Sequence, residues 1–317
     1  MNMRVPSGRH GHAWGRCRGA AAGLLLWFGV VHPAVAEGND EVREPLRVGF
    51  SSTLFSDVNE NDAKASVRAW GQAFAAERNI DVNPDAVIYK GVAAMQAALE
   101  AGSVDLLSLL TGEVEQLSDE VALNPIFVAL VNGRSHEEVL LLVHEDSGIG
   151  DVEGLQGRSL LIYENPRASF AVPWMDGVLG DRGLPPLFSW VGRHKSTTRV
   201  SGVVLPVFFR QADACLVTRN AFETMVELNP QLGRSLKVVA TSPEVVPVVL
   251  GVRAGYSPLM RGEVLEALAE LHQSAVGQQV LTIFRSEQLV EYPPSVMESA
   301  FEILRRSGAG SGKGDSR

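Results

Sequence analysis

Two stretches decide the fold: Ala98–Thr111, ALEAGSVDLLSLLT, and Val204–Thr218, VLPVFFRQADACLVT. Each runs from an apolar, helix-like segment through a short break of small and polar residues that ends in an aspartate. Each then enters an apolar run, Leu106–Leu110 in the first and Ala214–Val217 in the second. One device accounts for both: a helix, a tight turn, and a parallel strand whose two faces are covered and whose residues are therefore continuously apolar. Asp105 and Asp213 fall at the amino ends of their strands. A carboxylate there accepts backbone or helix N–H bonds, so a structural role is expected for both. One copy in each half of the chain predicts two similar lobes.

Outward from the first copy, Leu46–Phe50 (LRVGF) reads as a buried strand ending in Ser51-Ser52-Thr53. Asp62–Glu77 has helical spacing, with Ala65 and Ala69 on one face. Asp85–Tyr89 is a second strand and Gly91–Ala101 an alanine-rich helix, so 46–111 reads β-α-β-α-β. Around the second copy, Val139–Val143 and Ser159–Tyr163 are strands. Phe188–Gly192 (FSWVG) is read as a strand ending at Arg193-His194, and Ser196–Arg210 as a helix that Pro206 kinks or restarts. Val245–Val252 is a further strand, and 261–285 carries helical patterns. The fold class expected is α/β, two lobes with a cleft between them.

The ends differ from this body. Arg4, Arg9, Arg16 and Arg18 precede an apolar run, Gly19–Val31, and Ala34-Val35-Ala36 follows it. A basic start, a short apolar core and an A-x-A site make a secretory signal peptide over 1–36. Its core of about 13 residues is shorter than the roughly 20 of a membrane span. The mature protein is expected to begin near Glu37 and to reside in the periplasm. Ser307–Arg317 (SGAGSGKGDSR) is Gly/Ser-rich and expected to be disordered.

Removing 1–36 takes away four arginines and no acid, which moves the formal charge of −9 by −4 to −13. Such a chain suits neither nucleic acid nor an anionic membrane. A small anion is not excluded, because a pocket is governed by local dipoles. Only Cys215 remains after export, so no intramolecular disulfide is expected, and its apolar neighbours predict burial rather than reactivity.

In open α/β sheets ligands bind beyond the carboxyl ends of the strands. That rule selects Ser51, Ser52 and Thr53; Tyr89 and Lys90; Thr111; Arg167 and Ser169; His194; and Thr218, Arg219 and Asn220. The set is rich in hydroxyl and N–H donors and poor in carboxylates, and several of its loops enter helices, whose amino ends suit anions. Ser, Thr and Asn also cap helices, and capping competes with ligand contact at each position. There is no G-x-S-x-G elbow and no H-E-x-x-H. GAGSGKG lacks the strand and helix that frame a phosphate loop. His136 and His144, with Glu137, Glu138 and Glu145, do not meet metal-ligand spacing and read as solvated charge. No enzyme activity, metal or cofactor is expected.

Together these features resemble the substrate-binding proteins of phosphate/phosphonate-type ABC transporters, within the wider PhnD/SsuA/transferrin-like family. The carriers are LRVGFSS, NDAKASVRAW, VIYKGVAAMQAALEAGSVDLLSL, GRHKSTTRVSGVVLPVFFRQADACLVTRNAF, ELNPQL followed by VVATSP, and GQQVLTIFRSEQLVEY. The resemblance implies a type II periplasmic-binding-protein fold, with lobe 1 from 45–134 plus 240–305, lobe 2 from 135–239, and hinges near 133–138 and 240–246. It puts Tyr89, in Tyr89-Lys90-Gly91-Val92, at a ligand-contacting tyrosine and His194 at a cleft histidine. The family's D-P-x-S-T-S-G loop falls on Asn165-Pro166-Arg167-Ala168-Ser169-Phe170-Ala171, with hydroxyls lost at Ala168 and Phe170. Either Arg167 restores anion affinity there, or the ligand is a different oxyanion. The implied ligand contacts are Ser52, Thr53, Tyr89, Thr111, Arg167, Ser169, His194 and Thr218. The implied role of this monomer is capture of a small oxyanion for the membrane permease of an ABC transporter. The alternative is an exported sensor of the same fold that signals to a membrane receptor.

Overall fold

The structure, a computed structural model, describes residues 45–56, 59–78 and 82–308. The expected signal peptide, the polar start at 37–44 and the Gly/Ser-rich end from 309 lie outside the described residues. The chain first lays down β1 (Val48–Ser51), β2 (Val87–Tyr89), β3 (Leu106–Leu110) and β4 (Leu123–Leu130). It continues through β5 (Val139–His144), β6 (Ser159–Tyr163), β7 (Arg193–Thr197), β8 (Ala214–Thr218) and β9 (Leu236–Thr241), and returns in β10 (Val248–Arg253) and β11 (Gln288–Tyr292). The helices are α1 (Glu60–Arg78), α2 (Val92–Glu100), α3 (Thr111–Val114), α4 (Ala171–Gly180), α5 (Leu187–Trp190) and α6 (Val200–Phe208). After them come α7 (Arg219–Leu228), α8 (Pro230–Ser235), α9 (Pro258–Ala269), α10 (Ala275–Ile283) and α11 (Glu298–Arg306).

Two sheets result, in the orders β11-β4-β10-β3-β1-β2 and β7-β6-β8-β5-β9. β1 pairs in parallel with β2 and β3, as the β-α-β-α-β pattern requires. β10 runs antiparallel between β3 and β4, and β5 antiparallel between β8 and β9. These are the strands by which the chain enters a sheet after crossing from the other. The crossings themselves are tied together: Glu137 N–H donates to the Val245 carbonyl at 2.8 Å, and Val245 N–H donates back to the Glu137 carbonyl at 3.0 Å.

The two copies of the turn device share three backbone bonds. After α2, Ala101, Gly102 and Ser103 donate to the carbonyls of Ala97, Leu99 and Ala98. After α6, Phe209, Arg210 and Gln211 donate to those of Leu205, Val207 and Pro206. Both are helix ends closed by a left-handed residue, Gly102 at φ 61° and Arg210 at φ 59°, each three positions before its aspartate. The aspartates then clamp the start of the neighbouring parallel strand. Asp105 accepts from Arg47 N–H at 3.0 Å, ahead of β1. Asp213 accepts from the Ser159 N–H at 2.8 Å and hydroxyl at 2.6 Å, at the head of β6.

Burial opposes the charge on Asp213. The Ser159 hydroxyl and N–H, with Arg158 and Arg193, outweigh it and hold the carboxyl below its usual range. A depressed folded-state pKa stabilises above the unfolded value of about 3.9 and ceases to do so as pH falls through the folded value. Asp213→Asn is therefore expected to be less stable than the parent at pH 7, with the gap closing below pH 4. Urea unfolding at pH 7 and pH 3 checks this, and a gap of equal size at both would contradict it.

Several readings are corrected. Residues 188–192 are not a strand. Pro186 precedes a single helical turn, α5, whose Leu187 N–H donates to Asp176 Oδ1 at 2.7 Å, and the strand follows as β7. β7 is the polar edge of its sheet (RHKST), so it carries no apolar signal. α1 is a helix as expected but buries Ala63, Val67 and Trp70, while Ala65 and Ala69 are exposed. β4, β9 and β11 had no reading at all. α11, expected within lobe 1, packs Ala300, Ile303 and Leu304 into the core of the second sheet beside Trp174 and Met175 of α4.

Candidate ligand-binding site

A cavity of about 510 Å³ is lined by residues of both sheets. From the second come Glu137, Arg167, Thr218 and Asn220, and from the first the inward face of β1, β3, β4 and β10. The wall is mainly aliphatic and aromatic; Glu137, Arg167, Thr218 and Asn220 are its polar groups from the second sheet's side, and Asn132, Arg285 and Ser286 add others from the first.

The loop after β6 places Arg167. Asn165 accepts from Arg167 N–H at 2.9 Å, Pro166 opens a single 3-10 turn, and Ala168 is buried beneath it. The Arg167 Nε lies 3.6 Å from Glu137 Oε2, too far for a hydrogen bond. Nε and Nη2 are buried without hydrogen-bond partners. Burial pushes the Arg167 guanidinium down from its usual range and the Glu137 carboxyl up. Glu137 also spends Oε1 on the Asn220 N–H at 3.2 Å, in the first turn of α7. Two buried guanidinium nitrogens with unmade bonds are costly and are the feature a bound anion would relieve.

The matching edge of the first sheet is already satisfied from within. Glu113, buried, accepts from Ser51 Oγ at 2.7 Å, Thr53 Oγ1 at 3.2 Å and Leu110 N–H at 2.9 Å. The chain's own carboxylate thus stands where donors at a strand's carboxyl end would receive an anion. Thr111 is buried too, and its hydroxyl donates to the Val246 carbonyl at 2.6 Å.

Of the eight residues expected to contact ligand, the cavity joins Arg167 and Thr218. Thr218 also caps α7, accepting from Ala221 N–H at 3.3 Å. Ser52, Thr53, Tyr89, Thr111, Ser169 and His194 are not in its wall. Tyr89 is at the end of β2, but its hydroxyl meets Ser103 near Arg47 and Asp105, at the opposite end of the sheet. His194 is the second residue of β7, paired with Leu160, exposed, and stacked on Phe188 with ring centroids 4.2 Å apart. The misread strand had put it at a carboxyl end. Ser169 Oγ is buried without a partner, outside the cavity wall.

Glu113 and Glu137 were missed. Glu137 was read as solvated, yet it is 4% exposed, because the crossing segment it belongs to pairs with Val245. No local pattern signals that. Glu113 did leave a trace: a carboxylate three residues beyond the end of an apolar strand can return to the backbone it follows. Among the described residues no group of three or more His, Cys, Asp or Glu could hold a metal ion, and Cys215 is fully buried with its thiol pKa pushed up by burial. No described helix is long and apolar enough to cross a membrane.

Comparison with known proteins bears on this arrangement. The fold is shared with XAC2383 from Xanthomonas citri bound to ATP, at TM-score 0.61 and 15% identity, covering 84% of this chain and 98% of that one. PhnD1 from Prochlorococcus marinus in complex with methylphosphonate gives TM-score 0.56 and 13% identity, with 84% and 99% covered. A binding protein component of an ABC phosphonate transporter from Pseudomonas aeruginosa gives 0.54 and 15%, with 86% and 91% covered. At these identities the likeness establishes the two-lobed fold and nothing finer. No match was found among curated protein sequences. The model of one family, the phosphonate periplasmic substrate-binding proteins of ABC transporters, matches residues 53–295. That span is most of the 317 residues, and the chain belongs to this family of solute-binding transport proteins.

Proposed function

We propose that this protein captures a small anionic solute in the cavity between its two sheets and delivers it to the membrane permease of an ABC transporter. The observation that carries the reading is Arg167, a half-buried side chain at the cavity wall whose Nε and Nη2 are buried without hydrogen-bond partners and whose ion pair with Glu137 is 3.6 Å long. Thr218 and Asn220 add polar groups beside it. The expected signal peptide and the family's periplasmic setting support capture outside the cytoplasm. The crossings paired through Glu137 and Val245 supply a hinge about which the lobes would close on the solute. A thermal-shift screen of phosphate, phosphite, alkylphosphonates, sulfonates and sulfate on the mature protein tests it. A ligand at 100 times its Kd should add about 2.7 kcal/mol. No shift with any of these anions would contradict the reading.

Glu137 competes with the solute for Arg167. Glu137→Gln removes a negative charge 3.6 Å from the guanidinium and should tighten anion binding several-fold at pH 7. Because burial raises the Glu137 pKa, the parent protein should gain affinity as pH falls through that raised value, and the advantage of the variant should shrink. Titrations of both proteins at pH 8 and pH 5 decide this, and a constant ratio of affinities would remove Glu137 from the site.

A further inference from the structure

The cavity is larger and more apolar than a small oxyanion needs. Phe127, Ala129 and Val131 succeed one another along one face of β4 and its continuation, and all three line the cavity. At about 3.3 Å per residue, the four steps from Phe127 to Val131 span roughly 13 Å. The same wall includes Phe50, Trp70, Leu281 and Phe284, where Phe50 and Phe284 stack with centroids 5.4 Å apart. The Ser108 hydroxyl in this wall is spent on the Val249 carbonyl at 3.3 Å. Apolar walls take up apolar matter in preference to water. A wall that is mainly hydrophobic, with a few polar groups, orients a ligand by its polar end.

We propose that the solute is an amphiphile, with an anionic head group at Arg167 and an unbranched aliphatic chain lying along the inner face of the first sheet. The proposal rests on the assignment of Arg167 as the anion anchor. Two carboxylates of the chain, Glu113 and Glu137, already occupy the donors at the two sheet edges. Little remains there to hold a compact, fully hydrated oxyanion by many bonds. Chain burial supplies the affinity that the head group alone does not.

Calorimetric titration of the mature protein with methyl-, butyl- and octylphosphonate tests this. Each added buried methylene should raise affinity roughly fourfold, so octylphosphonate should bind about 100-fold or more tightly than butylphosphonate. Ala129→Phe, which sets a ring in the cavity, should collapse that preference towards one. Equal affinities along the series, with all three weakened by Arg167→Gln, would overturn the amphiphile and leave the anion anchor standing. Octylphosphonate binding that Arg167→Gln does not weaken would overturn both, as would no binding by any member.

Discussion

Asp105→Ala is expected to cost about 3 kcal/mol of stability, the lower end of the range for breaking a buried ion pair. Asp105 is 1% exposed and joins the amino ends of β1 and β3 to the carboxyl end of the antiparallel β10. Its carboxylate accepts from Arg47 Nε at 2.8 Å and Nη2 at 3.0 Å, and from Arg253 Nη2 at 2.8 Å. Arg47 leads into β1 and Arg253 ends β10, while Asp105 itself opens β3. Removing the carboxylate leaves two guanidiniums facing each other, held in place by the strands that carry them. The arginines are 29% and 20% exposed, so water screens part of the cost, which is why the lower end applies. The melting temperature should drop by roughly 6–12 °C. Asp213→Ala, at the equivalent position but 35% exposed, should cost clearly less. Denaturant unfolding of both variants measures the difference. A loss below about 1 kcal/mol for Asp105→Ala would show that the clamp is not structural in the sense argued.

The turn that carries each aspartate was legible from sequence because it is local, a helix end, a break of small and polar residues, an aspartate and an apolar strand, whereas Arg47 and Arg253, the partners that Asp105 holds, lie far from it in sequence and were not foreseen. The same locality exposed β1, β3, β5, β6 and β8, each a mainly apolar and mainly buried run, and also β2, a short sheet edge whose Val87 is exposed. What escaped was set by distant contacts. β10 and β5 read as strands, but their antiparallel placement in mid-sheet follows from the chain crossing between lobes. β4 contains Asn124-Pro125, which interrupts a strand pattern. The site was legible in part for the same reason. Arg167, Tyr89 and His194 were all selected by the carboxyl-end rule and the family resemblance; the strand before Arg167 was read correctly, whereas His194 followed a misread strand. The direction of a side chain, as with the Tyr89 hydroxyl turned back to Ser103, is not written in strand position alone.

Arg167→Gln is expected to weaken binding of the anionic solute by about 100- to 10,000-fold. Each hydrogen bond between charged groups is worth about 1.5–3 kcal/mol, and two unbonded nitrogens, Nε and Nη2, are available to make them. At about 1.4 kcal/mol per tenfold, two such bonds account for that range. Glutamine keeps most of the length of the side chain but loses the charge and the fork. It also leaves Glu137 without its cationic neighbour, so folding of the variant is checked by circular dichroism before affinity is compared. His194→Ala, at an exposed residue of the sheet edge, should leave affinity within twofold. A folded Arg167→Gln variant that binds as well as the parent would remove the anchor.

The most direct measurement is a crystal structure of the mature protein with the anion that gives the largest thermal shift. The account predicts the head group within about 3 Å of Arg167 Nε or Nη2, with Glu113 still holding Ser51 and Leu110. A head group bound instead at Ser51, Thr53 and Leu110 with Glu113 displaced, or outside the cavity altogether, would contradict it.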